Sequence, residues 1–429
     1  MREMIFMPGS GGNPLLMKVF EAFEQRDIRW STLPYPFSRG ELKHSIDLLV
    51  AQTDLGDAQQ TLMDLGFLPE TAAGSRANRC FLAYISAADE WIRLRLVSQL
   101  GFGALEALGA EAVTDLLTRR HKTHKAAELD PADAFPIVLL HCLFENVSVG
   151  HEDVTRLQEL AASARPEDLH AQTMERIDSD AEKVRALVSS AQSGDRVTLE
   201  RLIKDLRTQA ESRRPAGELA GPLQTLARSL RSALLHGRGL TVALLAPDGA
   251  GKSSVASALT DTLPVPVRVV YMGRARTSNR GRRQSVASGL VRQWRRHLTA
   301  RYHRFRGRIV LFDRYTYDAL LPPRNPNPAR VARRWVFAHA VPAPDLVILL
   351  DAPAELMFQR KDEHPREFLE QRRRDYLELK SRLPEMVVVD ASQSLEDVRR
   401  DVTHAIWTAY SQEHGKRAAH VPSPAAQGH

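Results

Sequence analysis

The chain has 429 residues, 43% of them hydrophobic and 26% charged, with a formal net charge of +7. That length holds two or three domains with separate cores, and no apolar run approaches the roughly 18 residues of a membrane span. Cys80 and Cys142, the only cysteines, show neither a CxxC nor a Cys/His spacing, which argues against a disulfide framework or a zinc site and fits buried, reduced thiols.

The opening stretch "MREMIFMPGSGGNPLL" lacks the basic-then-apolar layout of an export signal, so a cytoplasmic location is expected. "NPLLMKVFEAFEQRD" predicts a helix, with a short strand around Trp30 to Leu33 after it. "SIDLLV" (Ser45 to Val50) reads as a strand and "DAQQTLMDLGF" as the helix that follows. "CFLAYIS" and "WIRLRLV" read as two more strands, the second alternating apolar residues with Arg93 and Arg95 as a half-exposed strand does. From about 151 to 236 the sequence turns polar and helix-prone, and is expected to be a helical connector. From about 239 five apolar, β-branched runs alternate with helical segments: "LTVALLA", "VRVVYM", "RIVLFD", "DLVILLD" and "MVVVD". Such runs predict a parallel sheet covered on both faces. The stretch after Tyr410 lacks apolar periodicity and is expected to be disordered.

The first of the five runs carries the strongest motif. Ala246-x-x-x-x-Gly251-Lys252-Ser253 matches a P-loop with alanine at the first glycine position. Residues Asp248, Gly249, Ala250, Gly251, Lys252, Ser253 and Ser254 are the expected nucleotide-binding set. Gly249 and Gly251 let backbone amides turn towards phosphate oxygens, Lys252 supplies a point charge, and the Ser253 hydroxyl is a Mg²⁺ ligand type. The helix that starts there adds the positive end of its dipole. In parallel α/β sheets ligands sit beyond the carboxyl ends of the strands. Those ends read Gly273-Arg274, Asp313-Arg314, Asp351 and Asp390.

Four segments, "LLAPDGAGKSS", "RIVLFDRYTYDALL", "PDLVILLDAPAELMFQRK" and "VVVDASQSLEDVRRDV", resemble the successive motifs of thymidylate kinase-like nucleoside monophosphate kinases. The resemblance spans about 239 to 405. It implies a phosphotransferase that uses ATP and Mg²⁺, with Lys252, Asp313, Arg314 and Arg360 as catalytic residues and Ser253 and Asp313 on the metal side. It places a mobile lid after Arg360, with Arg366, Arg372, Arg373 and Arg374 as further candidates to meet phosphate. Salt-bridged helix faces are the alternative for these arginines, because Glu367, Glu370 and Asp375 lie a few residues away. The acceptor side departs from the family. The serine and the Ala-Tyr-Gln stretch that follow its Asp-Arg pair are replaced by "YTYDALLPPRNPNPAR", and its Arg-Glu-Pro-Gly-Gly stretch by "YMGRARTSNRGRR".

From Tyr271 to Arg308 there are twelve arginines and no acidic residue. Three readings stay open for this block: a site for a phosphorylated acceptor, a surface for nucleic acid or membrane, or an exposed basic helix pair. In the last, Leu290, Trp294, Leu298 and Tyr302 pack inward at helical spacing.

"SRGELKHSIDLLV" followed by a helix and a hairpin resembles nucleotidyltransferase-like domains. Those enzymes hold metals with an Asp-x-Asp pair, and here the pair is Ser45-Ile46-Asp47 beside a strand bearing arginines. The resemblance therefore implies a degenerate domain. The expected fold is α/β: a degenerate α+β nucleotidyltransferase-like domain over 1–150, a helical connector over 151–236, a P-loop domain with a parallel five-stranded sheet over 237–410, and a tail over 411–429. The expected function is transfer of the γ-phosphoryl of MgATP to a small acceptor, dTMP by kinship. The alternatives are a nucleotide-gated binding module without turnover, and a polyanion-binding protein with incidental ATPase activity. A homodimer is a further partner reading.

Overall fold

The computed structural model describes residues 13–34, 44–70, 78–102, 105–123, 126–144, 151–162, 181–212, 239–273, 286–322 and 327–418. By packing the chain divides into one unit of residues 1–83 and 91–221 and a second of residues 84–90 and 222–429.

The first unit begins with the helix Pro14–Gln25, capped where Asn13 Oδ1 accepts from the Leu15 amide at 3.0 Å. Proline at the first helical position suits a site whose N–H has no helical partner. Leu16, Val19, Phe20 and Phe23 form its buried face, and Phe20 stacks on Trp30 with ring centroids 4.6 Å apart. The strands are β1 (Trp30–Thr32), β2 (His44–Val50), β3 (Leu68–Pro69), β4 (Asn78–Ile85), β5 (Glu90–Val97), β6 (Leu100–Phe102), β7 (Leu105–Leu108), β8 (His121–Lys122) and β9 (Ala127–Glu128). Seven of them form a mixed sheet in the order β3-β4-β5-β2-β1-β9-β8. The helix expected after β2 runs over Leu55–Asp64.

The alternation in β5 has the predicted outcome: Ile92, Leu94 and Leu96 are buried while Arg93 and Arg95 lie on the other face. Strands β2 and β5 are parallel with Asp47 opposite Arg95. There the guanidinium grips the carboxylate with two bonds of 2.8 Å, and Asp47 is buried. A carboxylate closed by a bidentate arginine offers no charged oxygen edge to a dication.

Packing corrects the expected boundary at 150. Helices His151–Ala161, Ala181–Ser193 and Arg196–Ser212 contribute Val154, Leu157, Leu187, Leu199 and Ile203 to the same core as Leu49, Val97, Phe135 and Leu139. Their polar composition hid an apolar stripe on each helix that this core covers. They belong to the first unit and do not form a separate connector, while residues 213–236 of that segment lie outside the described residues.

Asp54 precedes the second helix and accepts three bonds from Arg29, from the backbone amide (3.0 Å), Nε (2.8 Å) and Nη2 (2.7 Å). Hydrogen bonding to Arg29 holds its carboxyl well below the usual carboxylate range. A depressed folded-state pKa stabilises the fold above the unfolded value of about 3.9 and stops doing so as pH falls through the folded value. Arg29 is 38% exposed, so solvent screens the pair. We expect Asp54→Asn to lower unfolding free energy by about 1 kcal/mol at pH 7. In denaturant titrations that gap should close below about pH 4; a gap as wide at pH 2 as at pH 7 would remove this account.

The second unit holds β10 (Thr241–Leu245), β11 (Val267–Tyr271), β12 (Ile309–Asp313), β13 (Leu346–Asp351) and β14 (Val387–Asp390). They form the expected parallel sheet, in the order β11-β12-β10-β13-β14. A helix follows each strand: Lys252–Thr262, Val286–Phe305, Pro328–Ala338, Ala354–Arg360 with Arg366–Glu378, and Leu395–Ala418. Parallel pairing needs such crossovers, and helices over both faces explain why β10 and β13 are apolar along nearly their whole length. Every residue of β10 is buried.

Two expectations fail here. The stretch after Tyr410, expected to be disordered, is helical as far as Ala418. Trp407 stacks on Tyr410, and the His414 ring lies 4.1 Å from Tyr410. Ring contacts at helical spacing carry the extra turns, where apolar periodicity gave no signal. Residues 419–429 lie outside the described residues. Of the stripe that the exposed-helix reading packs inward, Leu290 is half-buried, but Trp294 is 45%, Leu298 57% and Tyr302 55% exposed. The inward stripe holds Gly289, His297 and Ala300. Arg296 donates to the Gly273 carbonyl at 2.8 Å and Arg304 to Asp345 at 2.8 Å, so two arginines of the block are tied to the ends of sheet strands.

Candidate active site

Strand β10 delivers the chain to a tight loop at its carboxyl end. Gly249 and Gly251 both have φ of +91°, the left-handed region that favours glycine. Gly251 precedes the helix Lys252–Thr262, whose first-turn amides have no helical acceptor and face the loop with the positive end of the dipole. This is the arrangement an anion needs.

Lys252 is buried, and its Nζ donates to the carbonyls of Ala246 (2.7 Å) and Pro247 (2.8 Å) within its own loop. Burial, then the Arg314 charge, bring its pKa down to about 8, while Asp248, Asp318 and Asp313 act in the opposite direction. Four charged side chains from two loops therefore share the Lys252 field.

Asp313 ends β12 opposite Leu244 and Tyr271. Arg314 follows with φ of +64°, unusual for a non-glycine residue. Its guanidinium is ion-paired with Asp248 of the P-loop. Gly273, two residues beyond β11, leaves room here: a Cβ would collide first with the Tyr271 hydroxyl end and also come within 2.9 Å of Arg314 Cδ. Arg314 Nη1 also lies 3.9 Å from Asp318 Oδ2, and Asp318 Oδ1 accepts from the Tyr376 hydroxyl at 2.9 Å.

Arg360 closes the helix Ala354–Arg360 and donates to the Ala391 carbonyl at 3.1 Å. The same Nη1 lies 4.0 Å from where a Cβ on Gly251 would stand. Arg360 therefore lies between the P-loop and the loop that follows β14. The other arginines of the expected lid are ion-paired. Arg366 meets Glu355 (2.8 Å), Arg372 meets Asp375 (3.5 Å) and Arg374 meets Glu370 (3.4 Å). Arg373 grips Asp351 with bonds of 2.6 and 2.8 Å.

The structure thus brings together Asp248, Gly249, Ala250, Gly251, Lys252, Asp313, Arg314 and Arg360. Ser253 and Ser254 are exposed on the first turn of the P-loop helix. Arg274 and the arginines up to Arg283 lie outside the described residues. Sequence reasoning missed Asp318 and Tyr376 as members of the cluster. Asp318 follows Asp313 through a 3₁₀ turn over Thr316–Ala319, and Tyr376 comes from the distant helix Arg366–Glu378; no periodicity links them.

The site's donor set fits MgATP. A Cβ on Gly249 would fill space beside the Met357 carbonyl, so the loop is shaped for a residue without one. Among the described residues no cluster of three or more histidine, cysteine or acidic side chains could hold a metal by itself.

A strand, a left-handed glycine turn and a helix opening on a buried lysine define P-loop architecture. No family model matches the chain. It is similar to a thymidylate kinase of Pediococcus pentosaceus, 28% identical over 196 residues that cover 37% of this chain and 93% of that one. A probable thymidylate kinase of Thermococcus onnurineus is 32% identical over 114 residues, covering 22% of this chain and only 50% of its own length. Among solved structures, the thymidylate kinase from Candida albicans aligns at 19% identity with a TM-score of 0.34, over 41% of this chain and 94% of that one.

Proposed function

We propose that the second unit is a thymidylate kinase-like phosphotransferase that moves the γ-phosphoryl group of MgATP to a small acceptor. The observation that carries this reading is Lys252, a buried ammonium at a helix N-terminus whose bonds go to two carbonyls of its own loop. An incoming phosphate offers that ammonium stronger, charged acceptors. Bound Mg²⁺ would neutralise phosphate charge, with the Ser253 hydroxyl and the Asp313 carboxylate as its protein-side oxygens. Lys252 and the loop amides hold the donor phosphates. Arg314, fixed by Asp248, orients the centre of the site, and Arg360 supplies positive charge beside Gly251 where charge develops in the transition state.

In the relatives' names the acceptor is thymidylate, and dTMP is the first acceptor to try. The first unit, with Asp47 closed by Arg95, reads as a degenerate nucleotidyltransferase-like domain with a binding or positioning role. The test is ADP formation by the purified full chain with MgATP, alone and with each of a panel of acceptors. Acceptor-stimulated ADP and a phosphorylated product are expected. Tight ATP binding with no acceptor effect would instead favour a nucleotide-gated module.

A further inference from the structure

None of the residues gathered at the nucleotide loop comes from the outward stripe of the basic helix Val286–Phe305. Val291, Trp294, Leu298 and Tyr302 follow one another at steps of three and four residues, so they share one face. That face is open to solvent, with Val291 60% exposed and the other three close to half exposed. Arg295 and Arg301 are exposed and, at about 100° per residue, border the stripe on either side. Arg306, just past the helix, lies against the Tyr302 ring and donates to its hydroxyl at 3.1 Å. The helix Pro328–Ala338 adjoins the first: a Cβ on Gly289 would stand 2.7 Å from the Phe337 ring. It too exposes apolar side chains, Val331 and Trp335, among the exposed Arg330 and Arg333. No acidic residue occurs from Thr262 to Phe312 or from Ala319 to Pro344.

The chemistry of this face selects its partner. Exposed tryptophan, leucine and valine in one row are best placed in an apolar phase, and their arginine borders beside anions. A bilayer of anionic phospholipid supplies both. Aliphatic side chains enter the acyl boundary, tryptophan and tyrosine lie at headgroup level, and guanidinium groups meet phosphates. A second copy of the chain supplies only the apolar phase. In a two-fold contact the stripe meets itself, which sets Arg295 and Arg301 against like charges with no acid in either helix to offset them. Nucleic acid supplies only the anions, since Val291 and Leu298 have no planar face on which bases stack. We infer that the helix Val286–Phe305 docks on the surface of an anionic membrane, with Val291, Trp294, Leu298 and Tyr302 turned into the lipid. The helix Pro328–Ala338 adds positive charge beside it. The contact is interfacial, since among the described residues no helix is long and apolar enough to cross a membrane. It does not rest on phosphotransfer, and holds for an enzyme and for a nucleotide-gated module alike.

The test is sedimentation of the purified full chain with vesicles, one set of phosphatidylcholine alone and one with about 30% phosphatidylserine. Wild type is expected on the anionic vesicles only, with an affinity that falls as salt is raised. Two paired variants separate the contributions. Arg295→Gln with Arg301→Gln should weaken binding about 30-fold, about 1 kcal/mol for each arginine at a charged surface. Trp294→Ser with Leu298→Ser should weaken it at least as much while leaving the charge unchanged. All four side chains are exposed, so both variants should melt at the wild-type temperature, which is measured on the same samples. Absence from the anionic vesicles overturns the inference. So does binding that the folded apolar variant leaves intact, which is adsorption by charge alone. A dimer in sedimentation equilibrium that Trp294→Ser with Leu298→Ser dissociates assigns the stripe to a second copy instead. A duplex oligonucleotide that binds more tightly than the vesicles and displaces them assigns it to nucleic acid, and likewise overturns the membrane contact.

Discussion

Replacing Lys252 by methionine should cut acceptor-stimulated ADP formation by about 10²- to 10³-fold in the folded protein. The lysine stem is buried, and methionine fills a similar volume, so packing is kept. What is lost is the ammonium. Removing one preorganised donor to a developing charge lowers turnover by about 10² to 10³-fold. The bonds to Ala246 and Pro247 are lost as well, so the melting temperature is read alongside, and a purely structural lysine differs in leaving turnover of the folded fraction intact. Undiminished ADP formation by Lys252→Met would remove the proposed function.

The same residue sets a pH dependence whose sign can be worked out. Its ammonium, ordinarily near pKa 10.4, is brought down to about 8 by burial and by Arg314. Between those values the unfolded chain binds the proton and the ligand-free fold does not, so stability without nucleotide rises with pH across that window. Nucleotide binding runs the other way, because phosphates require the charged form. Above about pH 8, affinity should fall by up to about tenfold per pH unit as binding takes up a proton. Calorimetric titrations at pH 9 in buffers of different ionisation enthalpy would read that uptake directly. Its absence would mean that Lys252 stays charged in the free protein.

The parallel sheet could be read from sequence because its strands are short, largely apolar runs, with Arg268 in β11 the exception, and three of them end in aspartate. Asp313, Asp351 and Asp390 mark those ends, and the pairing of Leu244 with Asp313 and of Asp351 with Asp390 aligns them. Lys252, Gly249 and Gly251 were legible for a local reason, since a phosphate loop is built from consecutive residues. The arginines were harder. Arg373 and Arg360 stand on adjoining helices with similar neighbours, yet one is clamped by Asp351 and the other reaches the Ala391 carbonyl beside the P-loop. Only the three-dimensional placement of Asp351 separates them. The basic helix misled for the opposite reason. Two stripes fit its period, and the polar one faces inward because Arg296 and Arg304 find backbone carbonyl and carboxylate partners there.

A methyl group on Gly249 should do more damage than any other single methyl in the loop. The position has φ of +91°, which costs an alanine about 1–2 kcal/mol by itself. The added Cβ would also stand 2.5 Å from the Met357 carbonyl oxygen and within 3.2 Å of two further Met357 backbone atoms. Backbone cannot rotate aside as a side-chain tip can, so the loop or the helix Ala354–Arg360 must shift. Either movement separates Arg360 from Gly251 and the Ala391 carbonyl. Gly249→Ala should therefore lose both stability and nucleotide binding. Gly251→Ala is the control that isolates the collision. It has the same φ, but its Cβ would meet only the Arg360 Nη1 at 4.0 Å, so it bears the conformational strain alone. Gly249→Ala is expected to unfold at lower temperature than Gly251→Ala, by about 2–4 °C for each kcal/mol the collision adds. Equal melting temperatures for the two variants would mean that the Met357 carbonyl yields, and that the loop is less tightly held against that helix than its geometry implies.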